Sequence, residues 1–161
     1  MHPYSIFPKA PVMPRRGVQL PFHQYILAEH RLLHVRILGQ QRITLGDMSR
    51  GYEEFLSLPG ADDVRFSLHD MRGTEDFSLQ ANGSEIMTDM VKADAAKRQV
   101  HRRIAFVADN PAVLSGIMVY VAMLNESAYL SSHVLGSVGD AIDWLGLDRA
   151  IAAQITGSGA D

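Results

Sequence analysis

The sequence predicts a single-domain α/β fold with a mixed sheet of about five strands flanked by about four helices. Strand-like and helix-like segments alternate between residues 64 and 147, which is the order expected of an open sheet with helices packed on it. Residues 104–108 are apolar at every position, as in a strand that is covered on both faces. A chain of 161 residues, 47% of them hydrophobic, is long enough for one domain with a sizeable core.

We expect three parts: an extended arm (residues 1–22), an α/β domain (23–147) and a C-terminal segment (148–161) with a helical turn and a flexible tail. Five of the seven prolines lie in the first part, where they exclude helix and hinder strand pairing. The arm is expected to lack regular structure. The alternative is that it packs on a neighbouring subunit through Tyr4, Ile6 and Phe7.

The first half of the domain reads as a hairpin, a helix and a strand. Residues 25–28 and 32–39 are the two strands of the hairpin, and the second alternates with a period of two. Thr44 followed by Asp47 is a helix-start pattern, and the helix is expected to end before Pro59. Residues 64–71 alternate again and form the third strand.

The second half continues with a helix over residues 84–98 and the apolar strand at 104–108. Asn110 and Pro111 then mark a helix start. The helix that follows, residues 112–124, is apolar almost all round and shorter than the roughly 20 residues that cross a bilayer. We therefore place it in the core and partly in a subunit interface, with these interface candidates: Val113, Ile117, Tyr120 and Val121.

The closing elements are a strand over residues 128–135 and a helix that begins at Ser137, where Asp140 repeats the helix-start pattern. Residues 150–155 add a helical turn. The end of the third strand is the candidate ligand, modification or partner loop, because ligand sites in open α/β sheets gather outside the carboxyl ends of strands. Its candidate residues are His69, Asp70, Arg72, Gly73, Asp76 and Ser78. Capping and turn chemistry is the alternative role for them.

The element order and residues 140–147, which read Asp-Ala-Ile-Asp-Trp-Leu-Gly-Leu, resemble the STAS domain (sulfate transporter and anti-sigma factor antagonist) and its SpoIIAA-like bacterial relatives. The resemblance covers roughly residues 23–147 and implies a regulatory, protein-binding module without catalysis. In anti-sigma antagonists the third strand leads to an Asp-Ser-Ser-Gly site whose serine is phosphorylated. The corresponding segment here lacks that motif, since Ser78 follows Asp76 with no glycine after it.

Composition argues against several other classes of function. A net charge of -3 gives no general attraction to nucleic acid or to an anionic membrane. The sequence has no cysteine for a disulfide, a thiolate nucleophile or a metal site, which fits the reducing bacterial cytoplasm. Its seven histidines form no H-E-x-x-H motif, and no G-x-S-x-G nucleophile elbow is present. We therefore expect no metal, no cofactor and no catalytic residue.

Three hypotheses follow, in this order. The first is a cytoplasmic STAS-like interaction or regulatory module that forms a homodimer through residues 112–124 or the arm, and that also binds a protein partner. The second is a carrier of a small apolar ligand or lipid, similar to the Sec14 fold, with a pocket lined by Leu114, Met118, Tyr120 and Met123. The third is an enzyme with its site at His69 and Asp70.

Overall fold

The computed structural model describes residues 19–39, 41–77 and 79–157. The expectations for the arm as far as residue 18, for Ser78 and for the tail after residue 157 lie outside the described residues. The secondary-structure elements are β1 Phe22–Leu27, β2 Leu32–Ile37, β3 Gln41–Arg42, α1 Leu45–Ser57, β4 Phe66–Asp70, β5 Thr74–Asp76, α2 Gln80–Arg98, β6 Arg102–Val107, α3 Pro111–Leu124, β7 Leu130–Leu135, α4 Val138–Leu145 and α5 Ile151–Gly157.

The main sheet has five strands in the order β1-β2-β4-β6-β7. β1 is antiparallel to β2, and every other neighbouring pair is parallel, so the sheet is mixed. The predicted single-domain α/β fold with a five-stranded mixed sheet is confirmed, and five α-helices accompany the sheet in the described part of the chain. The hairpin between β1 and β2 closes at Arg31, which adopts the left-handed conformation with φ 53°.

Three helix starts lie where the sequence predicts them. Thr44 forms a complete capping box with Asp47 at the start of α1. The Asn110 side chain accepts a hydrogen bond from the Ala112 amide ahead of α3, and Ser137 accepts one from the Asp140 amide ahead of α4. Each side-chain oxygen satisfies a backbone N–H that has no partner inside its helix.

The start of α2 differs from the prediction. The helix begins at Gln80, one turn before residue 84. The residue ahead of it, Leu79, makes no side-chain capping hydrogen bond, so the sequence carries no start signal at this point. The pair of short strands β3 and β5 also escaped prediction, because two or three residues are too few to show a period.

The helices cover the sheet on both faces. Helices α1, α2 and α3 pack on the face to which Val35, Ile104 and Phe106 point, which we call the α1–α3 face. Helices α4 and α5 pack on the opposite face over Leu68 and Ala105, which we call the α4–α5 face. Since Ile151 and Ile155 of α5 are buried in the same cluster as Leu32, the C-terminal segment closes part of the core.

Helix α3 approaches the chain after β5 so closely that one of its positions has to be glycine. A Cβ atom at Gly116 would lie 2.8 Å from the carbonyl oxygen of Phe77 and 3.3 Å from its Cδ1 atom. We expect Gly116→Ala to lower the free energy of unfolding by about 1–3 kcal/mol, because backbone cannot yield as a flexible side chain can. Urea unfolding followed by circular dichroism measures this change.

Gly139 of α4 is the matched control for this substitution. The nearest atom to a Cβ there is the Ser137 Oγ at 3.9 Å, which is an ordinary contact. Gly139→Ala should therefore leave stability unchanged or raise it by up to about 1 kcal/mol through better helix propensity. Equal stabilities of the two variants would show that α3 does not pack on Phe77 in this way.

Candidate functional site

The structure separates the residues that the sequence placed in one loop. His69 and Asp70 are neighbours on β4, and successive side chains of a strand point to opposite faces. His69 lies on the α1–α3 face, in register with Phe106. Asp70 lies on the α4–α5 face, in register with Val107 and Arg36. The two side chains therefore cannot act together as a catalytic pair.

Asp70 organises the turn that follows β4. Its buried carboxylate accepts two hydrogen bonds from the Arg72 guanidinium, at 2.8 and 2.7 Å, and a third from the Arg72 amide at 3.2 Å. The Thr74 amide donates to the Met71 carbonyl at 3.1 Å and closes the turn. Gly73 has φ +84°, a conformation that glycine adopts without strain. These contacts give Asp70, Arg72 and Gly73 a structural explanation.

Asp76 has a different partner from Asp70. It lies in β5 and forms an ion pair with Arg42 of β3, with the Arg42 Nε atom 3.2 Å from its carboxylate oxygen. The pair is solvent-exposed and links the two short strands.

A buried histidine lies near Asp70 on the α4–α5 face. His34 of β2 is 1% exposed, and neither of its ring nitrogens has a hydrogen-bond partner among the described residues. Its ring meets that of Tyr25 edge to face, with centroids 5.2 Å apart. Burial lowers the pKa of His34 to about 4; Asp70 opposes this shift, whereas Arg36 and His23 add to it. The alternating pattern of β2 identifies the strand but does not show that this position is enclosed.

Between the sheet and helices α1, α2 and α3 lies a cavity of about 90 Å³, which we call the internal cavity. Its apolar walls come mainly from aromatic, aliphatic and methionine side chains, among them Phe22, Val35, Met48, Phe55, Met71, Phe77, Met87, Ile104, Phe106 and Tyr120. The Phe22 ring lies directly against Gly51 of α1, where a Cβ atom would be 2.3 Å from its Cζ. Polar side chains also line the cavity, namely Gln24, Tyr52, Ser67, His69 and Arg102.

His69 is the candidate residue that reaches this cavity. Its ring stacks on that of Phe106 with centroids 4.9 Å apart. Burial, together with the charge of a protonated His34, lowers the pKa of His69 to about 4. The imidazole is therefore neutral at pH 7, with one nitrogen that donates a hydrogen bond and one that accepts. None of the hydrogen bonds that we find among the described residues involves this ring.

At one end of the cavity Arg102 belongs to a buried polar network. Its Nη2 atom donates to the Tyr52 hydroxyl at 3.1 Å and to an Asp94 carboxylate oxygen at 3.2 Å. Tyr52 donates to the same oxygen at 2.7 Å, and Arg98 donates to the other at 2.8 Å. The Nε atom of Arg102 is buried and has no partner in the described part of the chain.

Burial and the network shift the pKa values of Tyr52 and Asp94. Burial raises the pKa of Tyr52 to about 12, although the Arg102 charge opposes this. Burial alone would raise the pKa of Asp94, but hydrogen bonds from Tyr52 and Arg98 and the charges of Arg98 and Arg102 hold it below its usual value. Asp94 is therefore ionised at pH 7 and neutralises Arg102.

The interface residues expected on α3 point into the domain. All four are buried in the core: Val113, Ile117 and Tyr120 contribute almost nothing to the surface, and Val121 only borders a groove beside the helix. The sequence could not show which side of α3 is exposed, because the helix is apolar on nearly every side and no apolar stripe distinguishes its inner face from its outer face. Tyr120 reaches the internal cavity, whereas Leu114 and Met118 line a different space, so the predicted four-residue carrier pocket does not form.

The outer face of α3 carries large apolar side chains. Met118 is 58% exposed and Val119 is 53% exposed. Beside them a groove of about 480 Å³, which we call the surface groove, runs between α3 and the end of β7. Its lining comprises Ala108, Leu114, Met118, Val121, Ala122, Asn125, His133, Val134, Leu135 and Gly136. The sequence predicts an interface on this helix, and the structure identifies which of its residues are accessible.

The edge of β7 next to this groove is partly closed by one side chain. The Asn125 amide nitrogen donates to the Ser132 carbonyl at 2.9 Å, and the Asn125 carbonyl oxygen accepts from the Ser132 amide at 2.7 Å. The Ser132 hydroxyl donates to the same oxygen at 2.8 Å. Asn125 thus takes the place of a neighbouring strand at the middle of the edge.

No helix in residues 19–39, 41–77 and 79–157 is long and apolar enough to cross a membrane. Within the same ranges, no three histidine, aspartate or glutamate side chains are grouped so that they could hold a metal ion. Comparison of the chain with models of known protein families, with curated proteins and with solved structures found no match.

Proposed function

We propose that the protein is a non-catalytic, STAS-like interaction module that forms a homodimer through the outer face of α3 and the surface groove. The observation that carries this proposal is the exposure of Met118 and Val119 on a helix that packs its other sides in the core. Contiguous exposed apolar surface beside a groove is typical of an interaction site. The lack of cysteine supports a place in a reducing compartment such as the bacterial cytoplasm.

A second copy of the chain suits this surface because α3 contains no charged residue. In a twofold interface the same patch serves both subunits, so any charge in it is present twice, and a charged residue near the axis would face a like charge. The outer positions Ser115, Met118, Val119 and Ala122 create no such repulsion. Burying them against the same patch of a partner removes apolar area from water on both sides.

Contact through the helix is favoured over pairing of two β7 strands. Strand pairing needs free backbone groups along the edge, and Asn125 already satisfies the Ser132 amide and carbonyl. The Leu130 amide is likewise bound to the Ser127 carbonyl at 3.3 Å. The apolar helix face does not depend on these groups, so it remains available for association.

We expect the protein to be a dimer at micromolar concentration and Met118→Lys to convert it to a monomer. A lysine at this position would bury one unpaired positive charge from each subunit in an apolar interface, and these two charges would repel each other. Sedimentation-velocity ultracentrifugation over a range of concentrations measures the change.

Ile86→Lys is the matched control, because Ile86 is an equally exposed apolar residue on α2. This variant should remain dimeric. A wild-type protein that is monomeric at high micromolar concentration would contradict the proposal, as would a Met118→Lys variant that still dimerises.

A further inference from the structure

Beyond self-association, we propose that the internal cavity is a binding site for a small, uncharged, mainly apolar molecule that carries one hydroxyl or carbonyl group. The site lies on the α1–α3 face between Phe106 and α1, α2 and α3. It is separate from the surface groove, so the two proposals fail or succeed independently.

The size of the cavity limits the ligand. Its volume of about 90 Å³ is below the roughly 150 Å³ of an engineered apolar cavity that binds benzene. Met48, Met71 and Met87 line it, and methionine side chains adapt readily to the shape of a ligand. A single ring can be accommodated by small shifts of these side chains. A lipid chain or a fused ring system is too large.

The polar groups in the cavity wall indicate which hydrogen-bonding group the ligand must carry. The Arg102 Nε–H is a buried donor that has no partner among the described residues, and the neutral, half-buried His69 ring lines the same cavity. Unsatisfied groups in an otherwise apolar enclosure are uncommon in folded proteins, because desolvation is costly when no hydrogen bond replaces water. A ligand oxygen could accept a hydrogen bond from the Arg102 Nε–H or from the His69 ring. If the oxygen belongs to a hydroxyl group, it could also donate one to the unprotonated nitrogen of His69.

Charge balance argues for a neutral ligand. The guanidinium of Arg102 is already matched by Asp94 at 3.2 Å, so the cavity has no unpaired positive charge for a carboxylate. Tyr52 and Tyr120 remain protonated at pH 7, since burial raises the pKa of both phenols. An anion or a cation would lose its hydration without gaining a counter-ion. A neutral phenol or a small alcohol would avoid this desolvation penalty.

Phenol is the probe that we would use, with the full-length protein labelled with ¹³C at the methionine methyl groups. Cavity binding should shift the signals of Met48, Met71 and Met87 and leave that of the exposed Met118 unchanged. Benzene, which has the ring but no hydroxyl, should bind at least tenfold more weakly. The bicyclic 2-naphthol should not bind.

Two substitutions locate the site. Ser67→Leu adds a bulky group from β4 into the cavity and should abolish the phenol-induced shifts. His69→Phe keeps a ring stacked on Phe106 but removes the polar atoms, and it should reduce the preference for phenol over benzene to less than twofold. The methyl spectrum without ligand reports whether each variant is folded. If a variant is not folded, the proposal is tested by comparing the affinities of the wild-type protein for phenol and benzene.

Three results would overturn the proposal. These are the absence of any phenol-induced shift at millimolar concentration, shifts confined to Met118 in the surface groove, and equal affinity for phenol and benzene in the wild type. The last result would indicate a simple packing void without polar recognition.

Discussion

Acidification from pH 7 to pH 4.5 is expected to destabilise the protein strongly through His34 and His69. In the unfolded chain each histidine binds a proton with a pKa near 6.5, whereas burial lowers the pKa of both to about 4 in the folded state. Between these values the unfolded state binds more protons, so stability falls as the pH falls. Each histidine should contribute a loss of about 3 kcal/mol by the time the pH reaches 4.

The groups around the two histidines set the size of this effect. Asp70 favours the protonated form of His34, and Arg36 and His23 oppose it. His69 is opposed by a protonated His34, so the second proton binds less readily than the first. The loss of stability should therefore begin near pH 7, be steepest at about pH 5 and level off as the pH approaches 4.

Urea unfolding at half-unit steps from pH 7.5 to pH 4.5 measures this dependence. His34→Leu and His69→Phe should each remove about half of the slope, because each replaces a titrating imidazole with an apolar side chain that binds no proton. His101→Gln, at an exposed histidine, is the control for replacing a histidine outside the core. A wild-type stability that stays constant between pH 6.5 and pH 4.5 would contradict the enclosure of both rings.

Asp94→Ala is expected to lower the free energy of unfolding by about 2–4 kcal/mol at pH 7, somewhat less than the cost of removing one partner of a fully buried ion pair, because the Asp94 side chain is 17% exposed. Arg102 is 6% exposed, and the substitution would leave its positive charge in the core without a counter-ion. The hydroxyl of Tyr52 and the Nε of Arg98 would also lose their acceptors. Urea unfolding followed by far-ultraviolet circular dichroism measures the loss.

Asp62 provides the control, because it also pairs with Arg98 but is 88% exposed. Asp62→Ala should cost less than about 1 kcal/mol, as exposed ion pairs generally do. In the double variant Asp94→Ala/Arg102→Met the core no longer contains an unpaired charge, so most of the stability should return. Equal effects of Asp94→Ala and Asp62→Ala would argue against a buried network.

Local signals made most of the architecture predictable. Thr44, Asn110 and Ser137 are capping residues that mark where three helices begin, and a cap depends only on residues three or four positions apart in sequence. The apolar run of β6 likewise identified a central strand. Where such signals are missing, as ahead of α2, the predicted boundary was late by one turn.

The candidate site was less predictable because it depends on contacts between distant segments. Alternation along β4 implies that His69 and Asp70 point to opposite faces of the sheet. The sequence does not reveal that His69 lines a cavity or that Asp70 binds Arg72 in the following turn. The Tyr52–Asp94–Arg102 network joins α1, α2 and β6, and no spacing in the sequence relates these residues. The accessible side of α3 was equally hidden, since apolar residues surround the helix.

The division of polar residues between the two faces of β4 also bears on how the chain avoids misfolding. A slip of β4 by one residue against β2 and β6 would exchange its faces. The Asp70 carboxylate would then enter the apolar cavity without Arg72, while Leu68 would leave its place beneath Ile142. Both changes raise the energy of the shifted pairing. The alternation of Ser67, Leu68, His69 and Asp70 therefore stabilises the native strand register relative to the register shifted by one residue.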